Sequence, residues 1–140
     1  AALLIPVVPG GASVAIQASR AGERLADSAL VVRGGTATGA NSAQGIAAGT
    51  STRADNGITG FSAESANGAS LCDLCTNIPN NQVGVTTAGQ IRAAGGEVTA
   101  TPGRSPNHAT VSGLPPQTAS DLLTPAQPNP VPKPERTQWD

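Results

Sequence analysis

The sequence predicts a small α+β domain built mainly of short antiparallel strands, on three observations. Short runs rich in Val, Ile and Thr recur along the chain and are closed by Gly, Asn and Pro turn signals, as in Leu30–Arg33 and His108–Ser112. The helical patterns between them are few and short, and they do not alternate with the strands in a βαβ rhythm. The 140 residues include one Phe, one Trp, no Tyr and no Met against 17 Gly and 12 Pro, so any core rests on Val, Ile, Leu and Ala and is small. That length holds one domain with tails. Residues 1–29 read as an apolar linker and amphipathic helix, 30–124 as the compact domain, and 125–140 as a Pro-rich tail.

Taken in order, Ala1 to Gly11 is apolar, and Pro6 and Pro9 keep it extended. Ala12 to Ala29 places Val14, Ala18, Ala21, Leu25 and Ala29 at helical spacing with Ser13 as N-cap, which predicts an amphipathic helix. Leu30-Val31-Val32-Arg33 is a buried strand that ends on a cation and runs into Gly34-Gly35. Thr36 to Gly49 has little to bury and reads as a covering loop with a helical turn around Ser42 to Ala48. Asp55-Asn56-Gly57 is a hairpin bend that leads into a strand over Ile58 to Ala63. Glu64 to Gly68 turns, Ala69 to Cys75 is one helical turn, and Gln82 to Thr87 is a strand. Thr87 to Ala94 is a short helix closed by Gly95 as its left-handed cap. Strands follow at Glu97 to Thr101 and His108 to Ser112, separated by a turn over Pro102 to Asn107. Pro116 to Thr124 is the last helix, and the prolines from Pro125 onward predict a polyproline-like or disordered tail.

Charge and length narrow the function classes. The formal net charge is −1, and the eight Lys and Arg residues are scattered, so no basic stripe is available to track a nucleic-acid backbone. A small catalytic contact with RNA needs only a few arginines and stays open. No run reaches the roughly 18 to 20 apolar residues that span a bilayer. The start lacks both a Met and the basic region of a secretory signal, so the chain reads as a segment of a longer polypeptide.

The chemistry-bearing residues are few. The guanidinium of Arg33 offers a fixed fork of donors suited to phosphate or carboxylate, and Gly34 leaves the backbone beside it bare. His108 is the sole histidine and shares a strand face with Thr110 and Ser112, an arrangement able to do acid–base work on RNA. Cys72 and Cys75 form a lone C-x-x-C without the second pair of a structural zinc site, so two half-buried thiols or an adventitious disulfide are expected there and no metal. There is no nucleophile elbow and no Gly-Lys-Ser/Thr phosphate loop.

Two resemblances enter on these residues. Arg33 at a strand end, Gly60-Phe61-Ser62-Ala63-Glu64-Ser65, and Asn80-Asn81-Gln82 entering a strand resemble the arginine–serine–glutamate layout of ADP-ribosyltransferases. The resemblance implies NAD as substrate, with Arg33 and Gly34 on its phosphate or nicotinamide ribose and Ser62 and Phe61 shaping the nicotinamide side. Gln82 stands where that family carries its Glu. An amide cannot stabilise an oxocarbenium-like charge as a carboxylate does, which leaves Glu64 or Glu97 to supply one. The resemblance implies catalytic positions at Ser62 and Gln82, and His108, the lone histidine, is a further catalytic candidate that would help orient the ribose or the acceptor.

The second resemblance runs from Leu30 to Pro130, through Asn81-Gln82-Val83-Gly84-Val85-Thr86-Thr87, Ile91-Arg92-Ala93-Ala94-Gly95-Gly96 and Asn107 to Leu114, and through Ala119 to Pro125 with Pro128-Asn129-Pro130. It is similar to the C-terminal tips of Rhs-type polymorphic toxins and contact-dependent inhibition proteins. Such a likeness implies a secreted or delivered effector cut from a large carrier, acting in the cytoplasm of a target cell and neutralised by a cognate immunity protein.

Three readings follow. The first is a toxin tip that ADP-ribosylates a component of the translation machinery, elongation factor Tu being one target of that kind. The second is a metal-independent ribonuclease tip with His108 as acid or base and Arg33 or Arg92 on the scissile phosphate. The third is a non-catalytic carrier or binding module.

Overall fold

In the computed structural model, residues 22–53 and 57–137 are described. They form an α+β fold in which a seven-stranded antiparallel sheet carries four short α-helices. The strands are β1 (Leu30–Gly34), β2 (Ser51–Thr52), β3 (Thr59–Glu64), β4 (Gln82–Thr87), β5 (Glu97–Ala100), β6 (His108–Ser112) and β7 (Gln127–Pro128). Their order across the sheet is β5-β6-β3-β1-β4-β7, with β2 also paired to β3. The helices are α1 (Ala43–Gly49), α2 (Leu71–Cys75), α3 (Ala88–Ala93) and α4 (Pro116–Leu123). None of the described helices is long and apolar enough to cross a membrane.

Strand alternation sorts the side chains into two layers. Val31, Phe61, Ala63, Val98, Ala109 and Val111 face one way and pack with Ile46 of α1, Ile91 of α3 and Ala119 and Leu123 of α4. Val32 and Val83 face the other way and meet Leu74 and Cys75 of α2, Ile78 and Val131. This second cluster covers the sheet only over β1 and β4. Over β3 and β6 the same face carries Ser62, Glu64, His108 and Thr110, since Glu64 pairs with His108 and Ser62 with Thr110 across the two strands. Polar residues at alternating positions thus leave one half of one face unclosed by hydrophobic packing.

The edge of β3 is broken. β6 pairs along Gly60 to Glu64, which occupies one edge. The other edge is shared: β1 reaches it only at Val32 opposite Glu64, and β2 only at Ser51 and Thr52 opposite Gly60 and Thr59. Among the described residues Phe61, Ser62 and Ala63 therefore have no strand partner on that side, whereas β1 is zipped to β4 over all five of its residues.

Two expectations give way. Gly22–Ala29, the described part of the predicted amphipathic helix, is not helical. Arg24 forms an isolated bridge with Thr99, and the Gly22 N–H donates to Ala100 O at 2.7 Å. The chain instead lies along the open edge of β5, and Leu25 and Ala29 enter the core from there. Gly22 has φ +81°, a conformation incompatible with a continuing helix. Residues 1–21, with the predicted linker and the first part of that helix, lie outside the described residues, as do Asp55 and Asn56 of the hairpin bend.

The Pro-rich tail also differs from expectation. Gln127 and Pro128 pair with Val83 and Gln82 to make β7, and Lys133–Glu135 is a 3-10 turn. Asn129 and Val131 are buried. Pro can pair here because β7 is an edge strand, where a missing N–H leaves no ladder bond unmade on the solvent side.

Candidate functional site

Ser62 is the point on which the polar half-face converges. Its carbonyl, at the unpaired edge of β3, accepts from Arg33 Nη1 at 2.7 Å. Its hydroxyl accepts from Arg53 Nη2 and lies 3.0 Å from His108 Nε2. Arg33 comes from the end of β1 and Arg53 from just beyond β2, so the two strands that share the β3 edge each deliver one guanidinium to the gap between them. Arg53 is fixed by the hairpin: its N–H donates to Ile58 O at 2.8 Å.

Arg33 is half-buried and its surroundings are built for it. Its guanidinium carbon lies 5.1 Å from the centre of the Phe61 ring, close enough for a cation–π contact. Gly49, at the end of α1, leaves room that a β-carbon would take from Arg33 Nη2. Burial lowers its pKa, yet arginine stays charged in proteins. Its Nε has no hydrogen-bond partner. A half-buried cation with no ion pair among the described residues carries a desolvation cost that an incoming anion removes.

His108 is buried and oriented from behind. Nδ1 lies 2.9 Å from Thr101 Oγ1 and 3.2 Å from Thr101 O, and Thr101 Oγ1 lies 2.9 Å from Thr110 Oγ1. The carbonyl can only accept, so a proton on Nδ1 satisfies it and leaves Nε2 as acceptor for the Ser62 hydroxyl. Gly103 lies over the imidazole, where a side chain would collide with the ring. Glu64, directly across from His108, is 8 % exposed and accepts a hydrogen bond from Ser105 Oγ.

These residues line two adjoining concavities. One, of about 240 Å³, is bounded by Arg33, Gly34, Ser62, Glu64 and the Asn77–Asn80 loop. The other, of about 380 Å³, is bounded by Arg53, Ser62, Glu64, Arg104, Ser105 and His108. Ser62 and Glu64 belong to both and form their common border.

Of the positions singled out in the sequence, Arg33, Gly34, Ser62 and His108 meet here, with Glu64 as the carboxylate beside them. Gly34 is smooth for an internal reason: a β-carbon there would strike Asn80 Oδ1 and Ile78, so the close approach is by the wall of the cavity itself. Phe61 lies on the opposite, helix-covered face, 4 % exposed, and supports Arg33 from below. Gln82 is exposed at the β7 end of β4 and lines neither cavity. Glu97 and Arg92 are committed to each other at 2.6 Å, and Arg92 also holds Asp27 at 2.6 Å, away from both cavities. Glu97 is held below its usual range: partial burial opposes this, but the Val98 N–H and Arg92 outweigh it.

Ser112, the third residue of the His108 strand face, lies at the far end of β6 and does not border the cavities. Cys72 is exposed and Cys75 buried, both as free thiols. Nothing local in the sequence marks Arg53, Arg104 or Ser105, beyond the place of Arg53 just before the Asn-Gly bend, where a hairpin fixes the direction of the side chain. No family model, no curated protein and no solved structure matches the chain.

Proposed function

We propose that the chain is an NAD-dependent ADP-ribosyltransferase and that its site is the gap between β1, β2 and β3. The observation that carries this reading is that Arg33 lines one of two adjoining cavities and bonds to Ser62, which with Glu64 forms their common border. A dinucleotide is long and needs adjoining pockets rather than one, and volumes of a few hundred Å³ suit it. The reaction breaks the bond between the nicotinamide nitrogen and the ribose carbon, and positive charge develops on the ribose. Glu64, buried and aimed at the shared border, is the carboxylate placed to stabilise that charge, the role that the sequence resemblance would give to Gln82. Arg33 holds an anionic or ribose part of NAD, and Ser62, set by Arg53 and His108, orients the nicotinamide ribose.

By the resemblance of Leu30 to Pro130 to polymorphic toxin tips, the modified acceptor belongs to the translation machinery of a target cell, and a cognate immunity protein is the natural partner.

The test is nicotinamide release from NAD by the purified chain in a bacterial lysate. Arg33→Ala and Glu64→Gln are each expected to lower release at least about a hundredfold, the scale of one lost transition-state contact. Release unaffected by either change, or absent from a folded and toxic wild type, removes the reading.

A second reading has its own observation. Glu64 and His108 stand on directly opposed positions of β3 and β6 beside Arg53 and Arg104, an acid–base pair next to cations. That set suits attack of a ribose 2′-hydroxyl on the adjacent phosphate. Cleavage of RNA in EDTA that is lost in His108→Ala, with NAD left intact, would select it.

A further inference from the structure

We propose that Arg53 and Arg104 make the larger cavity a pyrophosphate site, which takes the phosphates of a dinucleotide while Arg33 serves the ribose side of the gap. The inference rests on the transferase reading for the identity of the ligand and on the cavity itself for its charge.

The larger cavity measures about 380 Å³, and two of the residues around it are arginines. In a chain with a formal net charge of −1, this local gathering of guanidinium groups is not a consequence of general basicity. Arg53 is anchored through Nη2 to Ser62 Oγ, and its Nε is buried without a hydrogen-bond partner. A planar fork held at one corner is preorganised for a two-oxygen acceptor. Arg104, itself exposed, reaches the same cavity from the Pro102–Asn107 loop.

The neighbouring pocket is less suited to a doubly charged group. Arg33 Nη1 is spent on the Ser62 carbonyl, and its guanidinium lies against the Phe61 ring. The remainder of that wall is Val32, Gly34, Ala63, Ile78, Pro79 and the amides of Asn77 and Asn80, with Ser62 and Glu64 shared with the larger cavity and no second cation among its lining residues. Glu64 borders both cavities alike, so the second arginine of the larger one places the pyrophosphate on the Arg53 side of Ser62.

The experiment is calorimetric titration of the full chain with inorganic pyrophosphate and with ADP-ribose. Arg104→Gln changes an exposed residue, and Arg53→Gln is accompanied by a thermal melt to show that it folds. Each variant is expected to weaken both ligands about tenfold or more, as loss of a charge-assisted hydrogen bond implies. Arg33→Ala is expected to weaken pyrophosphate less than either of these variants does. Unchanged affinity in either folded variant, no saturable binding of pyrophosphate to the wild type, or a weakening in Arg33→Ala as large as in either variant overturns the assignment.

An oligoribonucleotide that displaces pyrophosphate where ADP-ribose does not also overturns it, in favour of an RNA phosphate. Nicotinamide release separates this inference from the reading beneath it. NAD cleaved by both variants with wild-type KM removes the phosphate site and keeps the transferase. ADP-ribose binding that needs both arginines, with no NAD cleavage, keeps the site and removes the transferase.

Discussion

At the scale of single residues, Ser62 shows how much one position can organise. Its carbonyl, hydroxyl and strand register bring together two arginines, a histidine and a carboxylate that lie far apart in sequence. Arg33, Ser62 and His108 are recognisable in the sequence because strand ends, small hydroxyls and a lone histidine are conspicuous in so plain a composition. Glu64 is harder to choose, since nothing local separates it from Glu97. Only cross-strand pairing does so, placing Glu64 opposite His108 and leaving Glu97 to Arg92.

The two cysteines are separated in the same way. Cys75 is buried in the smaller core, and desolvation, with a smaller contribution from Cys72, pushes its thiol up to about 11. Thiolate is the reactive form, so near neutral pH the folded chain is expected to take up one equivalent of a thiol reagent rapidly, at Cys72. Cys75 is expected to react only on unfolding or in strongly alkaline solution. Mass-spectrometric mapping of the labelled thiols checks this, and two equally fast equivalents at neutral pH would contradict the burial.

At the scale of elements, the tail after Thr124 acts as a brace. Asn129 is buried, and its amide donates at 3.0 Å to both Ile78 O and Asn80 O, while its Oδ1 accepts from the Val131 N–H at 2.9 Å. Arg136 adds bonds to Pro79 O and Asn81 Oδ1. Together they hold the Asn77–Asn81 loop, part of which walls the Arg33 cavity. Asn129→Ala leaves several buried polar groups unpaired. It is expected to cost about 1–3 kcal/mol, read as a lowered midpoint in urea unfolding, and to weaken activity through the loop rather than through chemistry. A sequence with Pro at every second or third position hides this, because each Pro argues against strand and none reports that the segment lies at an edge with its bonds made by Asn129 and Arg136.

At the scale of the whole molecule, the sheet is closed at its β5 side by residues that the sequence assigns to a helix. Leu25 is fully buried in the larger core, and Asp27 is held by Arg92. This segment belongs to the fold and is not a detachable lead-in. Leu25→Ala is expected to destabilise the chain by about 2–5 kcal/mol, the usual range for truncating a buried leucine, measured by thermal or denaturant unfolding. A loss below about 0.5 kcal/mol, the size of an ordinary surface change, would mean that the segment does not pack as described. A core with one aromatic among the described residues has little stability to spare, so this single change is expected to lower the yield of folded protein as well.

The α+β class, five of the seven strands and the short helices follow from the sequence alone. β-branched alternation, Asn-Gly and Gly-Gly turns, and hydroxyl caps such as Ser42, Ser70 and Thr87 act over a few residues and need no partner to be expressed. Three features are decided only by tertiary structure: the break along β3, the recruitment of Arg53 and Glu64 to the cavities around Ser62, and the pairing of Arg24 and of Gln127–Pro128 with sheet edges. Each depends on which strands become neighbours and how far they stay paired. Helical spacing in Ala12 to Ala29 is a local preference of well under 1 kcal/mol per residue, and in Gly22–Ala29 it yields to the burial of Leu25 and Ala29 beside an open strand edge. Pairing over long sequence separations is settled by the summed burial and hydrogen bonding of the whole sheet, and no single stretch of residues carries that sum.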